Sequence, residues 1–399
     1  MDAASEMKLQ IFSNQYYEFV DRFVQSDFEN SKVLGKFYTD ITIAKRMMSD
    51  LLQNYVFPEN KDMIRIIDPF CGDGRLIKIL LLQLIEIDRY DSTPLDVVLW
   101  DVDGEVVKKA KQGIEKLADE IGLRCTVTTR NADAYVLYSS EKSQFDICVT
   151  NPPWGLLKPQ KVFNERCSQE EVNEYKNSIA LYDDYMKTEF PLSQPTKKFG
   201  KWGTNLGRIG TEVALRLISN DGICGLVSPA SLFNDQVSVP LREWLFDKHK
   251  IYSIFYYPAE LKLYGSADVS SVTTVIGKGQ TDTSLLTKMY NVDGSYQIRQ
   301  LTDFQLDFVR RNQYALPLES GFDAFEILCH LGELPSVIEC CDSAGFHFVR
   351  ELDETRVSEK LKSKGEIIFA KGYMVDRYSF LEDGLFLDDE KVTPPETVM

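Results

Sequence analysis

The chain has 399 residues, 44% of them hydrophobic, which is enough for two domains and a sizeable core. Its net charge of −16 argues against tight nucleic-acid binding by this chain alone, because such binding draws on phosphate neutralisation. No apolar run reaches the roughly 20 residues that cross a bilayer, the opening Met-Asp-Ala-Ala-Ser-Glu is no signal peptide, and the expectation is a cytoplasmic chain.

The eight cysteines show no Cys-x-x-Cys spacing, and several fall in runs of strand character. They read as small apolar residues of a reducing compartment. His249, His330 and His347 have no metal-ligand spacing, so no metal site is expected.

In chain order, apolar residues at helical spacing predict an N-terminal helix over 8–30, through Leu9, Phe12, Tyr16, Phe19 and Val20. Gly35-Lys-Phe-Tyr-Thr39-Asp40 follows, with Thr39 or Asp40 placed to cap a helix running to about Tyr55. Met63–Asp68 reads as a strand. The turn Asp68-Pro-Phe-Cys-Gly72-Asp73-Gly74 then feeds an apolar helix to about Ile87, the first βα unit of a nucleotide-type sheet. Position 77, where a dinucleotide fingerprint needs its third glycine, is Ile77. The turn therefore suits a ligand without phosphate: Gly72 and Gly74 let the backbone approach it, and Asp68 or Asp73 faces an ammonium group or a water.

A second strand, Asp96–Trp100, ends in Asp101-Val-Asp103. An acid at this point takes a ribose diol, and Asp101, the first past the apolar run, is preferred to Asp103. A third strand, Cys125–Thr129, is followed by Asn131-Ala-Asp133, which either accepts from an adenine amino group or forms an Asx turn.

The fourth strand, from Phe145, stops at Asn151-Pro152-Pro153-Trp154. Two prolines cannot continue a ladder, and each holds its predecessor extended, which leaves a rigid loop at a strand's carboxyl end. An exocyclic amino nitrogen on an aromatic ring is a poor nucleophile because its lone pair is delocalised. The Asn151 side-chain oxygen and the Pro152 carbonyl can each accept one amino hydrogen, which localises that lone pair for attack on an electrophilic methyl. Positioning and aimed dipoles supply the effect without a strong base. Trp154 would stack on the ring.

Downstream, a helix is expected at about 169–188. Lys197, Lys198 and Lys201, interleaved with Phe199 and Trp202, are candidate contacts to backbone phosphates or unstacked bases. Val213–Ile218 reads as the apolar side of a helix, Asn220-Asp-Gly222 as a turn and Ile223–Val227 as a strand, while Pro229–Asp235 opens a helix through Trp244. Ile251–Tyr257 and Val272–Ile276 are expected to form an antiparallel edge, with Tyr264 exposed on the loop between them. From about Thr281 the pattern is mixed, with a helix at Phe322–Leu331, a short strand near Ile367 and a polar tail.

Taken together, Gly-Lys-Phe-Tyr-Thr (35–39), the Asp68–Gly74 turn, Asp101, Asp133 and Asn-Pro-Pro-Trp (151–154), in this order, resemble the gamma-group adenine-N6 DNA methyltransferases of bacterial restriction–modification and related defence systems. The resemblance covers roughly residues 30–280. The alternation of strands and helices over 60–277 gives a doubly wound α/β domain, and the resemblance implies the mostly parallel sheet of the class I S-adenosylmethionine-dependent methyltransferases, with N-terminal helices and a small C-terminal α+β extension. It divides the chain into a helical segment with a cofactor-closing loop (1–59), a catalytic domain (60–280) and a C-terminal extension (281–399).

The resemblance further implies that Phe37, Tyr38 and Thr39 close over the methionine part of S-adenosylmethionine, that Asp101 binds its ribose, and that Asp133 binds its adenine with Phe70 and Pro153 near the ring. Asp68, Gly72, Gly74 and Asn151 complete that site. Asn151, Pro152, Pro153 and Trp154 would be catalytic, with Tyr264 a second aromatic against the flipped base. Trp154 departs from the commoner Tyr or Phe. The family's target-recognition domain follows this region, yet only a segment like its opening, Gly365–Tyr378, precedes the last residues. The expected partners are therefore double-stranded DNA and either a separate specificity subunit or a recognition domain missing from this chain. Methylation of a protein glutamine amide or of RNA, and a silent cofactor-binding scaffold, are the competing readings.

Overall fold

The computed structural model describes residues 3–23, 35, 37–59, 61–88, 90–159, 167–194, 203–264, 268–336, 339–340, 343, 358–365, 367–369 and 384–387. The chain divides into two units, Met1–Cys329 and His330–Met399.

Strands of the first unit are β1 (Ile64–Asp68), β2 (Leu95–Asp101), β3 (Cys125–Asn131), β4 (Phe145–Thr150), β5 (Ile218–Pro229), β6 (His249–Tyr257), β7 (Ser271–Lys278), β8 (Leu286–Tyr290) and β9 (Tyr296–Gln300). They form one sheet in the order β3-β2-β1-β4-β5-β7-β6-β8-β9. Strands β3, β2, β1, β4 and β5 run parallel. β7 enters antiparallel between β5 and β6. The order reverses between β1 and β4, and in open α/β sheets a crevice opens outside the carboxyl ends at such a point.

Helices cover both faces. The helices are α1 (Ala3–Phe23), α2 (Ile41–Asn54), α3 (Arg75–Leu84), α4 (Gly104–Glu120), α5 (Ala134–Leu137), α6 (Gln169–Glu189), α7 (Leu206–Leu217), α8 (Val239–Lys248), α9 (Asp303–Arg311) and α10 (Gly321–Leu331). On one face Met47, Leu51, Ile77, Leu80 and Ile114 of α2, α3 and α4 bury against Ile147 and Val149 of β4. On the other, Tyr16, Val20, Tyr182, Ile209, Val213 and Leu241 of α1, α6, α7 and α8 bury with Cys148. Successive β4 side chains thus serve opposite cores, and the strand is buried along its whole length.

Local chemistry sets the element ends. Of the two candidate caps for α2 it is Asp40 that acts, accepting from the Thr42 N–H at 2.8 Å and the Ile43 N–H at 3.3 Å. Ser168 and Glu171 close a capping box at the start of α6. Gly74, at φ 73°, caps α3 in a left-handed conformation that a side chain would disfavour.

Four expectations are corrected. Asn220-Asp-Gly222 is no turn between elements, because β5 begins at Ile218. The register against β4 jumps from Phe145–Ile218 to Ile147–Ile223, so the polar triplet is a bulge inside one strand. The segment from Pro229 is not one helix. A short 3₁₀ turn (Ala230–Phe233) precedes a break at which Asp235 accepts from the Ser238 N–H at 2.7 Å, and α8 starts after it. The antiparallel pair is internal rather than an edge, because β8 and β9 extend the sheet beyond β6. Tyr264 is not exposed. Its ring is 7% accessible and its hydroxyl donates to Ser271 Oγ at 3.1 Å.

In the second unit, β10 (Leu361–Lys362), β11 (Ile367–Ile368) and β12 (Phe386–Leu387) form a small antiparallel sheet in the order β10-β12-β11.

Candidate active site

A cavity of about 440 Å³ lies at the carboxyl ends of β1, β2, β3 and β4. Its wall includes Phe37, Tyr38 and Thr39, Asp68, Phe70, Gly72, Asp73, Asp101, Asp133, Asn151 and Pro153. Residues more than a hundred positions apart in the sequence are thereby brought together, and the volume falls in the range of small-molecule sites.

Asp68 ends β1 and is fully buried. Its Oδ1 accepts from Thr150 Oγ1 at 2.8 Å and from the Phe70 N–H at 3.1 Å, whereas Oδ2 is buried with no hydrogen-bond partner. Loss of solvation pushes this carboxyl up to about 7 from the usual 3.8, against the opposing effect of those two donors. Asp73, the other candidate for a cation, is already paired with Arg75 at 2.7 Å. Arg75 also donates to the Thr39 carbonyl at 2.9 Å and lies 4.8 Å over the Tyr38 ring, so it ties the 37–39 segment to the glycine turn. Tyr38 is 48% exposed and stands at the mouth of the cavity. A Cβ on Gly72, at φ 48°, would come within 3.1 Å of that ring.

Asp101 accepts from the Gly72 N–H and the Asp103 N–H, both at 2.9 Å. Asp103 caps α4 through the N–H groups of Glu105 and Val106, each at 3.1 Å. The two acids thus divide their work, Asp101 holding the glycine turn at the crevice and Asp103 holding a helix. Asp133 both lines the cavity and makes the turn expected as its alternative, accepting from the Tyr135 N–H at 2.9 Å on Oδ1. Its Oδ2 accepts from Ser13 Oγ at 2.6 Å and from the Tyr182 hydroxyl. Phe70 packs 5.1 Å from the Tyr135 ring.

The Asn151 amide nitrogen donates to the Phe37 carbonyl at 2.7 Å and to Thr39 Oγ1 at 3.1 Å. These acceptors fix the amide's orientation and turn Oδ1 the other way, where it is buried with no hydrogen-bond partner. The loop is braced from both sides. The Trp154 backbone N–H donates to the Gly35 carbonyl at 2.9 Å. Gly35, at φ 67°, has no room for a side chain, since a Cβ would lie 2.5 Å from the Gly155 nitrogen. On the other side, a Cβ on Gly210 of α7 would lie 2.2 Å from the Pro152 Cβ.

The rings of Trp154 and Tyr264 meet edge to face with centroids 4.5 Å apart, so in this conformation no slot for a base is open between them. Lys197, Lys198, Lys201, Phe199 and Trp202 lie outside the described residues. Among the described residues no cluster of acids, cysteines and histidines could hold a metal ion, and no helix is long and apolar enough to cross a membrane.

Ser13, Tyr135, Tyr182 and Gly210 were not singled out from the sequence, and Tyr17 counts there only among the apolar positions of the N-terminal helix. Gly210 alone left a signal there, because Gly207-x-x-Gly210 within an apolar helical pattern marks a close approach.

Residues 99–264 match the family model of the Eco57I restriction-modification methylase. No curated protein sequence matches this one. Among solved structures, the type IIG restriction endonuclease BpuSI aligns with a TM-score of 0.50 and 15% identity, over 72% of this chain and 33% of its own. The chain thus spans about a third of that enzyme, and the likeness is one of fold. A class I S-adenosylmethionine-dependent methyltransferase from Listeria monocytogenes aligns with a TM-score of 0.43 and 15% identity, over 71% of this chain and 73% of its own. A type I restriction-modification methyltransferase subunit from Streptococcus thermophilus gives 0.42 and 13%, over 73% and 57%. The doubly wound, mostly parallel sheet expected of a class I methyltransferase is the one observed.

Proposed function

We propose that the chain transfers a methyl group from S-adenosylmethionine to the exocyclic N6 amino group of adenine in double-stranded DNA, a reading supported by the likeness of residues 99–264 to the Eco57I restriction-modification methylase model. One observation carries the reading: the buried, unpartnered Asn151 oxygen at the end of β4, on an amide whose nitrogen is already held. A buried acceptor without a donor is costly, and a site that meets its donor only when substrate arrives explains why one is maintained.

The cavity fits the cofactor. It is large enough, its floor is a glycine turn with Gly72 and Gly74 at positive φ, and one oxygen of the buried Asp68 lacks a donor that an ammonium group would supply. Asp101 would hold the ribose hydroxyls and Asp133 the purine amino group, with Phe70 and Pro153 beside the ring. Phe37, Tyr38 and Thr39 would close over the methionine part. S-Adenosylmethionine, when bound, supplies the electrophilic methyl.

The target adenine is rotated out of the duplex towards the Asn-Pro-Pro-Trp loop. Its two amino hydrogens go to Asn151 Oδ1 and the Pro152 carbonyl, which localises the nitrogen lone pair. Trp154 and Tyr264 part from their edge-to-face contact to admit the base. Lys197, Lys198 and Lys201 take backbone phosphates, and a specificity subunit or further domain supplies the recognition that a chain of net charge −16 lacks. The setting is the cytoplasm, within a restriction–modification or phage-defence system.

The test is transfer of labelled methyl to unmethylated genomic DNA, digested to nucleosides. Label is expected in N6-methyladenine. Asn151→Ala should lower transfer by roughly 10²–10³-fold while S-adenosylhomocysteine still binds. Label in protein glutamine or in RNA instead of DNA would overturn the substrate assignment, and unchanged transfer by Asn151→Ala would overturn the mechanism.

A further inference from the structure

The purine end of the crevice is completed by a helix that lies outside the sheet. α1 precedes the whole α/β domain, yet Tyr17 lines the cavity and Ser13, one turn earlier on the same helix face, bonds the Asp133 carboxylate at 2.6 Å. α1 is fastened to α6 by aromatic contacts: Phe19 stacks on Tyr175 with centroids 4.5 Å apart and planes at 15°, and Tyr16 lies 6.2 Å from the same ring. From α6, Tyr182 donates to the oxygen that Ser13 also uses.

A carboxylate oxygen accepts about two donors. Oδ2 of Asp133 is therefore filled by Ser13 and Tyr182, and Oδ1, with the Tyr135 N–H at 2.9 Å, keeps one lone pair. Two hydroxyls on one oxygen also stop the carboxylate from turning.

We propose that α1 is the specificity wall of the cofactor site: Tyr17 packs against the adenine ring, and Ser13, together with Tyr182, is a positioning residue that fixes the Asp133 carboxylate so that Oδ1 alone addresses the 6-amino group. This rests on reading the crevice as an S-adenosylmethionine site. It makes the N-terminal helix part of ligand recognition, and it assigns discrimination of an amino from an oxo group at the purine 6-position to three side chains, only one of which belongs to the sheet's own loops. A site built to bond a donor rejects the analogue that lacks it, because its own polar group is then left unpaired.

The test uses the full chain and calorimetric binding of two probes, S-adenosylhomocysteine and its 6-oxo analogue S-inosylhomocysteine, with thermal unfolding recorded for every variant. Tyr17→Ala should weaken S-adenosylhomocysteine about tenfold and Tyr17→Phe less than about twofold, because the ring and not the hydroxyl forms the wall. Tyr17→Leu, which keeps bulk without the aromatic plate, should weaken binding about fivefold and stands in if the alanine variant does not fold. Ser13→Ala should narrow the preference for the adenosyl over the inosyl probe by about threefold or more, and Ser13→Thr should restore it. Wild-type affinity in folded Tyr17→Ala or Tyr17→Leu, or an unchanged probe ratio in Ser13→Ala, would overturn the proposal and leave the cofactor reading standing. Failure of the unaltered chain to bind S-adenosylhomocysteine would overturn both.

Discussion

Asp68 places an ionisable carboxyl in a setting that favours its neutral form. Its pKa, about 7 in the folded chain, lies above the ordinary 3.8, so the folded state holds the proton more tightly than the unfolded one. The stability this confers is greatest below the lower value, declines as pH rises from about 4 to about 7, and is lost above that. Asp68→Asn is accordingly expected to raise Tm by roughly 2–5 °C at pH 8 and to change it little at pH 4, followed by calorimetry across that range. Equal shifts at both pH values would show that ionisation of this group is not the cause. On the proposed reading the same variant should bind S-adenosylmethionine more weakly, because the partner proposed for its ammonium group is lost. Asp68 and Asn151 were legible in the sequence because each follows a buried strand and begins a turn whose glycines or prolines allow little else. Ser13 and Tyr17 were not. Nothing distinguishes one serine and one tyrosine in an aromatic-rich helix until folding sets Ser13 against Asp133, 120 positions away.

At the scale of elements, helix α7 shows how packing overrides propensity. In a helix interior Gly→Ala ordinarily stabilises by about 1 kcal/mol. At Gly210 the added methyl would overlap Pro152, with 2.2 Å between the carbons. Gly210→Ala should therefore destabilise by about 1–3 kcal/mol in a denaturant titration and, on the proposed mechanism, depress methyl transfer further, because the displaced proline carries the carbonyl proposed to accept from the target amino group. A more stable Gly210→Ala would refute the close packing. β1 to β4 were read with errors of a residue or two, since each is an apolar run bounded by acids, glycines or prolines. The bulge in β5 was misread because Asn-Asp-Gly is turn chemistry, and here the register shift absorbs it without breaking the strand. β8 and β9 gave no clear period. Every residue of β9 is exposed, so burial imposes no alternation of polar and apolar residues on it.

Across the molecule, the acidic balance bears on the proposed reaction. The chain carries a net charge of −16, which opposes a grip on phosphates by this chain alone. Transfer to genomic DNA is expected to be weak with the chain alone and to rise at least about tenfold when extract from its source supplies a basic, sequence-reading partner. Full activity of the isolated chain would show that its own surface suffices. The bonds that link Ser13 to Asp133 and Phe37 to Asn151 span 120 and 114 residues. Synthesis proceeds from the amino end, so the first helix emerges long before the groups it bonds, and the loops it closes are long ones. The bonds that join the first helix to Asp133 and α6 are therefore complete only once Tyr182 has left the ribosome. A molecule interrupted before that point has four of the nine strands of the sheet, and its Asp133 carboxylate lacks the Tyr182 hydroxyl that helps to fix it.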